Sequence, residues 1–195
     1  MRNSLFGIRV LHQPNKGRDY WEGSNPILHD FSLTAKISCR SSNENWWTTC
    51  VYGPQGDSDK VLFLQELRTV RSGRSGPWLL CGDFNLIYRA EDKNNNLLNR
   101  KMMGRFRRFI DDTEIQEIHL NGRRFTWSSE RDSPTLQRLD RVPLMIWWLH
   151  TQTTSSLDHA PLKLSTSSPL LEAFSLWKHL AQIWRILAYY SLQYV

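Results

Sequence analysis

Hydrophobic and polar positions along the chain switch between two periods. Residues 1–30 are weakly patterned and are punctuated by Pro14, Gly17, Gly23 and Pro26. HDFSLTAKISCR (29–40) then alternates, so that Phe31, Leu33, Ala35 and Ile37 fall on one face of a half-buried strand. SSNEN (41–45) reads as a turn. WWTTCVYG (46–53), rich in aromatic and β-branched residues, reads as the returning strand of an antiparallel hairpin closed by Gly53-Pro54. The period becomes helical over SDKVLFLQELRTVRSG (58–73). Ser58 is the expected cap, and Asp59 suits the positive first turn. Phe63, Leu64, Leu67 and Val70 share a stripe, and Gly73 ends the helix.

A strand follows from Trp78 to Cys81, and then a polar loop, RAEDKNNNLLNR (89–100). A second helix is predicted over about 101–113, with Met102, Met103, Phe106, Phe109 and Ile110 inward. RRFTW and LQRLDRV flank a turn around Asp132-Ser133-Pro134 and predict another hairpin. LDHAPLKLS (157–165) reads as a loop entering a last strand. From Leu170 to Ala188 the apolar residues keep helical spacing, but Lys178, His179, Gln182 and Arg185 interrupt them, so this tail is amphipathic and not membrane-spanning. Hairpin, helix, strand, helix, hairpin and strand together predict an α/β layered sandwich with largely antiparallel pairing.

Composition narrows this picture. The 195 residues suit one domain with an appendage, and the 40% apolar content and nine Trp suit a packed core. The net charge of +6 favours anionic partners. Three cysteines, Cys39, Cys50 and Cys81, lack CxxC spacing, which argues against a disulfide framework or zinc site and for a reducing compartment. The first residues lack the apolar core of a secretory signal, and no run is long enough to span a membrane. An intracellular protein is expected.

Candidate chemistry gathers where the predicted strands stop. Tyr52 lies in VYGP, Asp83 and Asn85 in GDFN, Asp140 in LDR, and Asp158 and His159 in LDH. Each alone suits a bland role: a turn for Asp83 and Asn85, a surface ion pair for Asp140 between Arg138 and Arg141, a core aromatic for Tyr52. Converged, they suit hydrolysis of a phosphate ester. Carboxylates hold a hard divalent cation, an imidazole moves a proton, and an amide and a phenol donate to phosphate oxygens.

The order and wording of WWTTCVYGPQGDSDKVLFLQEL, GPWLLCGDFNLI, EDKNNNLLNRKMMGRFRRFI, EIHLNGRRFTWSSER, PTLQRLDRV and LDHAPLKL resemble the endonuclease/exonuclease/phosphatase superfamily. The likeness is strongest to the endonuclease domain of plant LINE-type (non-LTR) retrotransposons, over residues 29–142 and more loosely 156–165. The resemblance implies a four-layered α/β sandwich of two mixed, largely antiparallel sheets, and phosphodiester cleavage with Mg2+ or Mn2+. It implies Asp83 orienting the attacking water and Asn85 holding the phosphate. Asp158 would be a metal ligand, His159 the base or a phosphate contact, Asp140 the residue orienting His159, and Tyr52 a contact to the phosphate or leaving group. The family's early strand ending in Asn and its Gln-Glu metal motif have no counterpart here; Glu22 in YWEGSNP stands in a different context. The expectation is a partial domain over 1–165, incomplete at its N-terminus and impaired, with a tail at 166–195.

Two functions follow. One is a metal-dependent DNA endonuclease, nuclear by its substrate. The other is a non-catalytic remnant binding nucleic acid through a basic surface that includes Arg105, Arg107, Arg108, Arg123 and Arg124. A small-molecule phosphatase on the same fold is a third reading.

Overall fold

The structure, a computed structural model, describes residues 21–39, 45–117, 124–129 and 131–145. Residues 41–44 of the turn predicted at 41–45, the segment 146–165 and the amphipathic tail lie outside them. The main sheet begins with β1 (Trp21–Leu28), β2 (Ser32–Cys39) and β3 (Asn45–Tyr52), joined antiparallel. Helix α1 (Asp57–Ser72) then carries the chain back, so that β4 (Trp78–Asp83) lies parallel to β3. Helix α2 (Arg100–Asp112) and β5 (Ile115–Glu117) follow. The hairpin of β6 (Trp127–Ser128) and β7 (Leu136–Gln137) forms a separate two-stranded sheet. Two short strands, β8 (Asp140–Arg141) and β9 (Pro143–Met145), return to the main sheet, whose order is β1-β2-β3-β4-β9-β5 with β8 also on β4. Only β3 and β4 pair in parallel among these strands, which bears out the mixed, largely antiparallel α/β reading.

Both helices bury the stripes read from the sequence. Phe63, Leu64, Leu67 and Val70 of α1 and Met102, Phe106, Phe109 and Ile110 of α2 join Val51, Trp78, Leu80, Phe84 and Leu86 in one core. The start of α1 differs from expectation. The helix opens at Asp57 after Gly56, with no side-chain cap, and Ser58 lies inside it. Asp57 and Asp59 oppose the helix dipole in the first turn instead. Gly73 ends the helix as expected, donating its N–H to the Thr69 carbonyl at 3.2 Å. Asn99 caps α2 by accepting the Met102 N–H at 3.0 Å.

Strand β2 corrects the simple alternation. Its helix-facing residues are polar, yet Ser32 and Thr34 are fully buried. Ser32 donates to the Glu66 carboxylate of α1 at 2.7 Å. The Thr34 and Thr49 hydroxyls meet at 2.9 Å, and the Trp78 indole donates to Thr49 at 2.8 Å. Satisfied in this way, hydroxyls fill core positions that a hydropathy pattern assigns to solvent. The opposite face is buried as well: Ile37, Trp46, Cys50, Leu79 and Cys81 are each at most 4% exposed.

Strand β1 falls in the weakly patterned stretch. Its pairing with β2 slips between Ser24 and Ile27, where Asn25 takes a positive φ of 51° and Pro26 has no N–H to donate. The interruption destroys the alternation that would have announced the strand.

Candidate active site

Three of the sequence-predicted residues meet at one end of the main sheet. Tyr52 ends β3 and Asp83 ends β4, in parallel register with each other. Asp140 opens β8 and pairs with Asp83 from the other side. Side chains alternate along strands, so the three share one face, the one turned away from the helices.

The backbone at this end is unusually close. Gly82 has φ of 132°, and a Cβ there would lie 2.1 Å from the Val51 carbonyl oxygen. A Cβ on Gly53 would lie 2.1 Å from the Phe84 carbonyl oxygen. Only glycine fits either position. The Gly53 N–H donates to the Asp83 carbonyl at 2.7 Å, locking the two strand ends together.

GDFN then turns sharply. Phe84 is fully buried, its ring 5.5 Å from Phe106 and 6.1 Å from Phe63, and it pins the turn to the core. The turn thus leaves Asp83 and Asn85 half-buried on either side of that pin. Asn85 adopts φ of 49°, a left-handed conformation that Asn tolerates. Its N–H donates to Asp83 Oδ1 at 2.8 Å, and its Nδ2 donates to the Gly53 carbonyl at 2.5 Å. An amide nitrogen carries two hydrogens, so this bond leaves one for a ligand. Tyr52 is 37% exposed.

Asp140 is held from two directions that the sequence does not announce. Thr126 Oγ1 accepts the N–H groups of Leu139 and Asp140 at 3.0 and 3.1 Å, tying the β6–β7 hairpin to the site. Arg141, the next residue, is 2% exposed and turns to the helix side. It donates to Asp92 at 2.6 Å and to Glu117 at 2.8 Å, with its guanidinium 5.9 Å from the Phe106 ring centroid. Arg138 pairs with Glu117 at 2.9 Å. The two arginines flanking Asp140 therefore serve a buried network; a surface ion pair was the simple reading of that spacing. Asp92 Oδ2 also accepts the Tyr88 and Arg89 N–H groups at 3.1 and 2.8 Å, so the loop after GDFN is fastened to β8.

The polar run in EDKNNN does similar work. Asn94 donates to the Pro134 carbonyl and accepts from the Leu136 N–H, at 2.8 and 2.9 Å, and Asn95 donates to Thr135 at 3.2 Å. These amides substitute for a third strand on the β6–β7 hairpin.

The remaining sequence-predicted residues do not join the cluster in the described residues. Arg105 and Arg108 line a groove of about 200 Å³ with Val61, Leu64 and Arg68, between α1 and α2. They lie roughly 9 and 14 Å along α2 from Asn99, on the helix layer and away from the strand ends. Arg124 is exposed, donates to the Glu91 carbonyl at 3.2 Å and lies over Phe125 at 5.1 Å. Arg123, Asp158 and His159 lie outside the described residues. Glu22 pairs with Ser38, which pairs with Asn45 at the start of β3. Its backbone is therefore at the opposite end of the sheet from Tyr52, roughly 23 Å away.

Among the described residues, no group of three or more His, Cys, Asp or Glu side chains is placed to hold a metal ion. The donor chemistry at the strand ends still suits a hard dication, because Asp83 and Asp140 offer only oxygens, on neighbouring strands. No helix among the described residues is long and apolar enough to cross a membrane.

A largely antiparallel mixed sheet, covered by helices on one face and carrying carboxylates at adjoining strand ends, defines an α/β protein with a strand-end polar site. The model of the Endonuclease/Exonuclease/phosphatase family matches residues 5–187, and the chain belongs to that family. Among solved structures it is similar to the endonuclease domain of TRAS1, a telomere-specific non-LTR retrotransposon: 13% identity over 60% of this chain and 52% of that one, with a TM-score of 0.46. It is also similar to the 3' phosphatase NExo from Neisseria, bound to a product DNA hairpin: 16% identity over 60% of this chain and 52% of that one, with a TM-score of 0.44. The human Nocturnin catalytic domain aligns at 15% identity over 65% of this chain and 48% of that one, with a TM-score of 0.40. The chain thus covers about half the length of these structures. No curated protein sequence matches it.

Proposed function

We propose that this chain is a DNA endonuclease-type phosphodiesterase of the plant LINE retrotransposon kind, working in the nucleus with Mg2+ or Mn2+. The observation that carries the reading is the register of Tyr52, Asp83 and Asp140 on three adjacent strands, with Asn85 folded back onto Asp83.

The roles follow from chemistry. Asp83 accepts a hydrogen bond from the attacking water and orients its lone pair toward phosphorus. Asn85 offers its second amide hydrogen to a phosphate oxygen, and the Tyr52 phenol donates to the phosphate or the leaving oxygen. Asp140 orients His159, which moves the proton. Asp158 would hold the cation, which when bound would offset charge on the phosphoryl oxygens. Because Glu22 lies at the far end of the sheet, the cation loses one protein carboxylate relative to the family pattern. Weak metal affinity and slow cleavage are expected. The unit proposed to fold around this site is 1–165, with 166–195 as a separate helical tail.

The test is nicking of supercoiled plasmid by the folded chain. Cleavage should require Mg2+ or Mn2+ and should vanish in Asp83→Asn and His159→Ala. A chain folded by circular dichroism that leaves plasmid intact at millimolar metal refutes the catalytic reading.

A second reading, non-catalytic nucleic-acid binding, draws on the grouping of Arg68, Arg105 and Arg108 around one groove and on Arg124 near the hairpin. It expects DNA binding that persists in His159→Ala and weakens steeply with salt. Binding indifferent to salt removes it.

A further inference from the structure

Cys50 and Cys81 take no part in the chemistry above, yet they sit directly behind it. They are register partners on β3 and β4, two residues before Tyr52 and Asp83 respectively and on the same face. Their sulfurs are 3.6 Å apart. The residues are 4% and 1% exposed, and both thiols are free.

Neighbouring strands lie about 4.8 Å apart, inside the Cα separation of about 4.4–6.8 Å that a disulfide spans. The sulfurs alone must close, from 3.6 Å to about 2.05 Å. We propose that Cys50 and Cys81 form a redox modification site, which a small two-electron oxidant of the peroxide class converts to a disulfide tying β3 to β4 behind Tyr52 and Asp83.

The step balances as follows. The Cys50 sulfur attacks one peroxide oxygen, its S–H proton is released and the O–O bond breaks. The sulfur becomes a sulfenic acid, and the departing hydroxide takes the thiol proton to become water. The Cys81 sulfur then attacks the sulfenic sulfur. The S–S bond forms, the S–O bond breaks, and the hydroxyl leaves with the Cys81 proton as a second water. Two thiols lose two electrons and two protons, and hydrogen peroxide gains them.

The surroundings assign the order. Cys81, the more enclosed of the two, is the resolving partner. Its Sγ lies 3.8 Å from the Thr49 carbonyl oxygen, which accepts its S–H. Cys50, the less enclosed of the two, meets the oxidant. Cys39 is excluded as a partner: it pairs with Trp21 beyond the start of β3, roughly 20 Å along the strand from Cys50.

The reduced full chain, freed of reductant, is incubated with hydrogen peroxide and separately with diamide. Free thiols are then blocked under denaturing conditions, and the protein is read by intact mass and by peptide mapping without reductant. The expected result is a monomer with a loss of two blocking groups relative to the unoxidised control, reversed by dithiothreitol, and a peptide joining Cys50 to Cys81 about 2 Da lighter than the two free peptides together. Cys50→Ser and Cys81→Ser should each abolish the loss. The map of the unmutated chain carries the test even where a variant fails to fold. Three results overturn the proposal: both thiols still free after Cys39 has been oxidised, linkage through Cys39, or sulfinic acid at Cys50 or Cys81 without a link. None of these readouts depends on nuclease activity.

Discussion

Replacing Arg141 by Met removes the cation from the most enclosed ion network among the described residues. Its side chain is 2% exposed, against 10% for Asp92 and 23% for Glu117. Deleting one partner of a buried pair costs about 3–5 kcal/mol, because the other charge stays buried without compensation. The structure places this case at the lower end. Asp92 keeps the Tyr88 and Arg89 N–H donors at 3.1 and 2.8 Å, and Glu117 keeps Arg138 at 2.9 Å. About 3 kcal/mol is expected, and with it a fall in Tm of about 6–12 °C.

Urea unfolding followed by circular dichroism measures this, with Asp112→Asn as internal control. The Asp112–Arg68 pair is 3.2 Å long but 51% and 39% exposed. Its loss should cost less than about 1 kcal/mol and should shrink further at about 0.5 M salt. The Arg141→Met loss should persist at that salt. If Arg141→Met lies within about 1 kcal/mol of the unmutated chain, or tracks Asp112→Asn, then the desolvation cost of the network cancels its attraction and the network does not anchor β8.

Three further outcomes follow from the same geometry. Gly82→Ala puts a methyl group 2.1 Å from the Val51 carbonyl oxygen at φ of 132°; a loss of roughly 3 kcal/mol or more is expected in the same melts, and a loss under 1 kcal/mol would show that β3 and β4 can separate there. Thr126→Val removes the acceptor for the Leu139 and Asp140 N–H groups; stability should fall by only about 1 kcal/mol, while plasmid nicking should fall mainly in kcat. For Cys81, burial raises the folded pKa, so the folded state keeps a proton that the unfolded chain releases. Its contribution to stability is therefore complete below about pH 8.5 and declines as pH rises beyond it, by at most about 1.4 kcal/mol per pH unit. Melts of Cys81→Ala should show a shallower alkaline decline than those of the unmutated chain.

The parts of the fold legible in the sequence are those set by local pattern. The stripe Phe63, Leu64, Leu67, Val70 and the end at Gly73 need only one helix and one apolar neighbour to be read. Legibility fails where a partner is distant in sequence. Ser32 and Thr34 look like solvent positions until Glu66 and Thr49, 34 and 15 residues away, are brought against them. Arg141 reads as a surface cation because Asp92 is 49 residues distant. Tyr52, Asp83 and Asp140 were each visible as polar residues at strand ends. That they stand in one row was not visible, because register is a property of paired strands and not of any one segment.

The dipeptide Asp140-Arg141 shows why the motif is compact. Consecutive residues on a strand point to opposite faces. With Asp140 set beside Asp83 on the face turned from the helices, Arg141 opposite Gly82 must face the helix layer. A small apolar residue there would leave β8, only two residues long, held to β4 by little more than its ladder bonds. The guanidinium instead reaches three separate segments: Asp92 in the loop after GDFN, Glu117 at the end of β5, and the Arg138 carbonyl before β8. A short strand therefore gains an anchor that a long strand would obtain from its own hydrogen bonds. The cost is a buried charge, and that cost falls on the face away from the proposed chemistry. The carboxylate on the other face is left half-exposed, as its proposed part in positioning an imidazole requires.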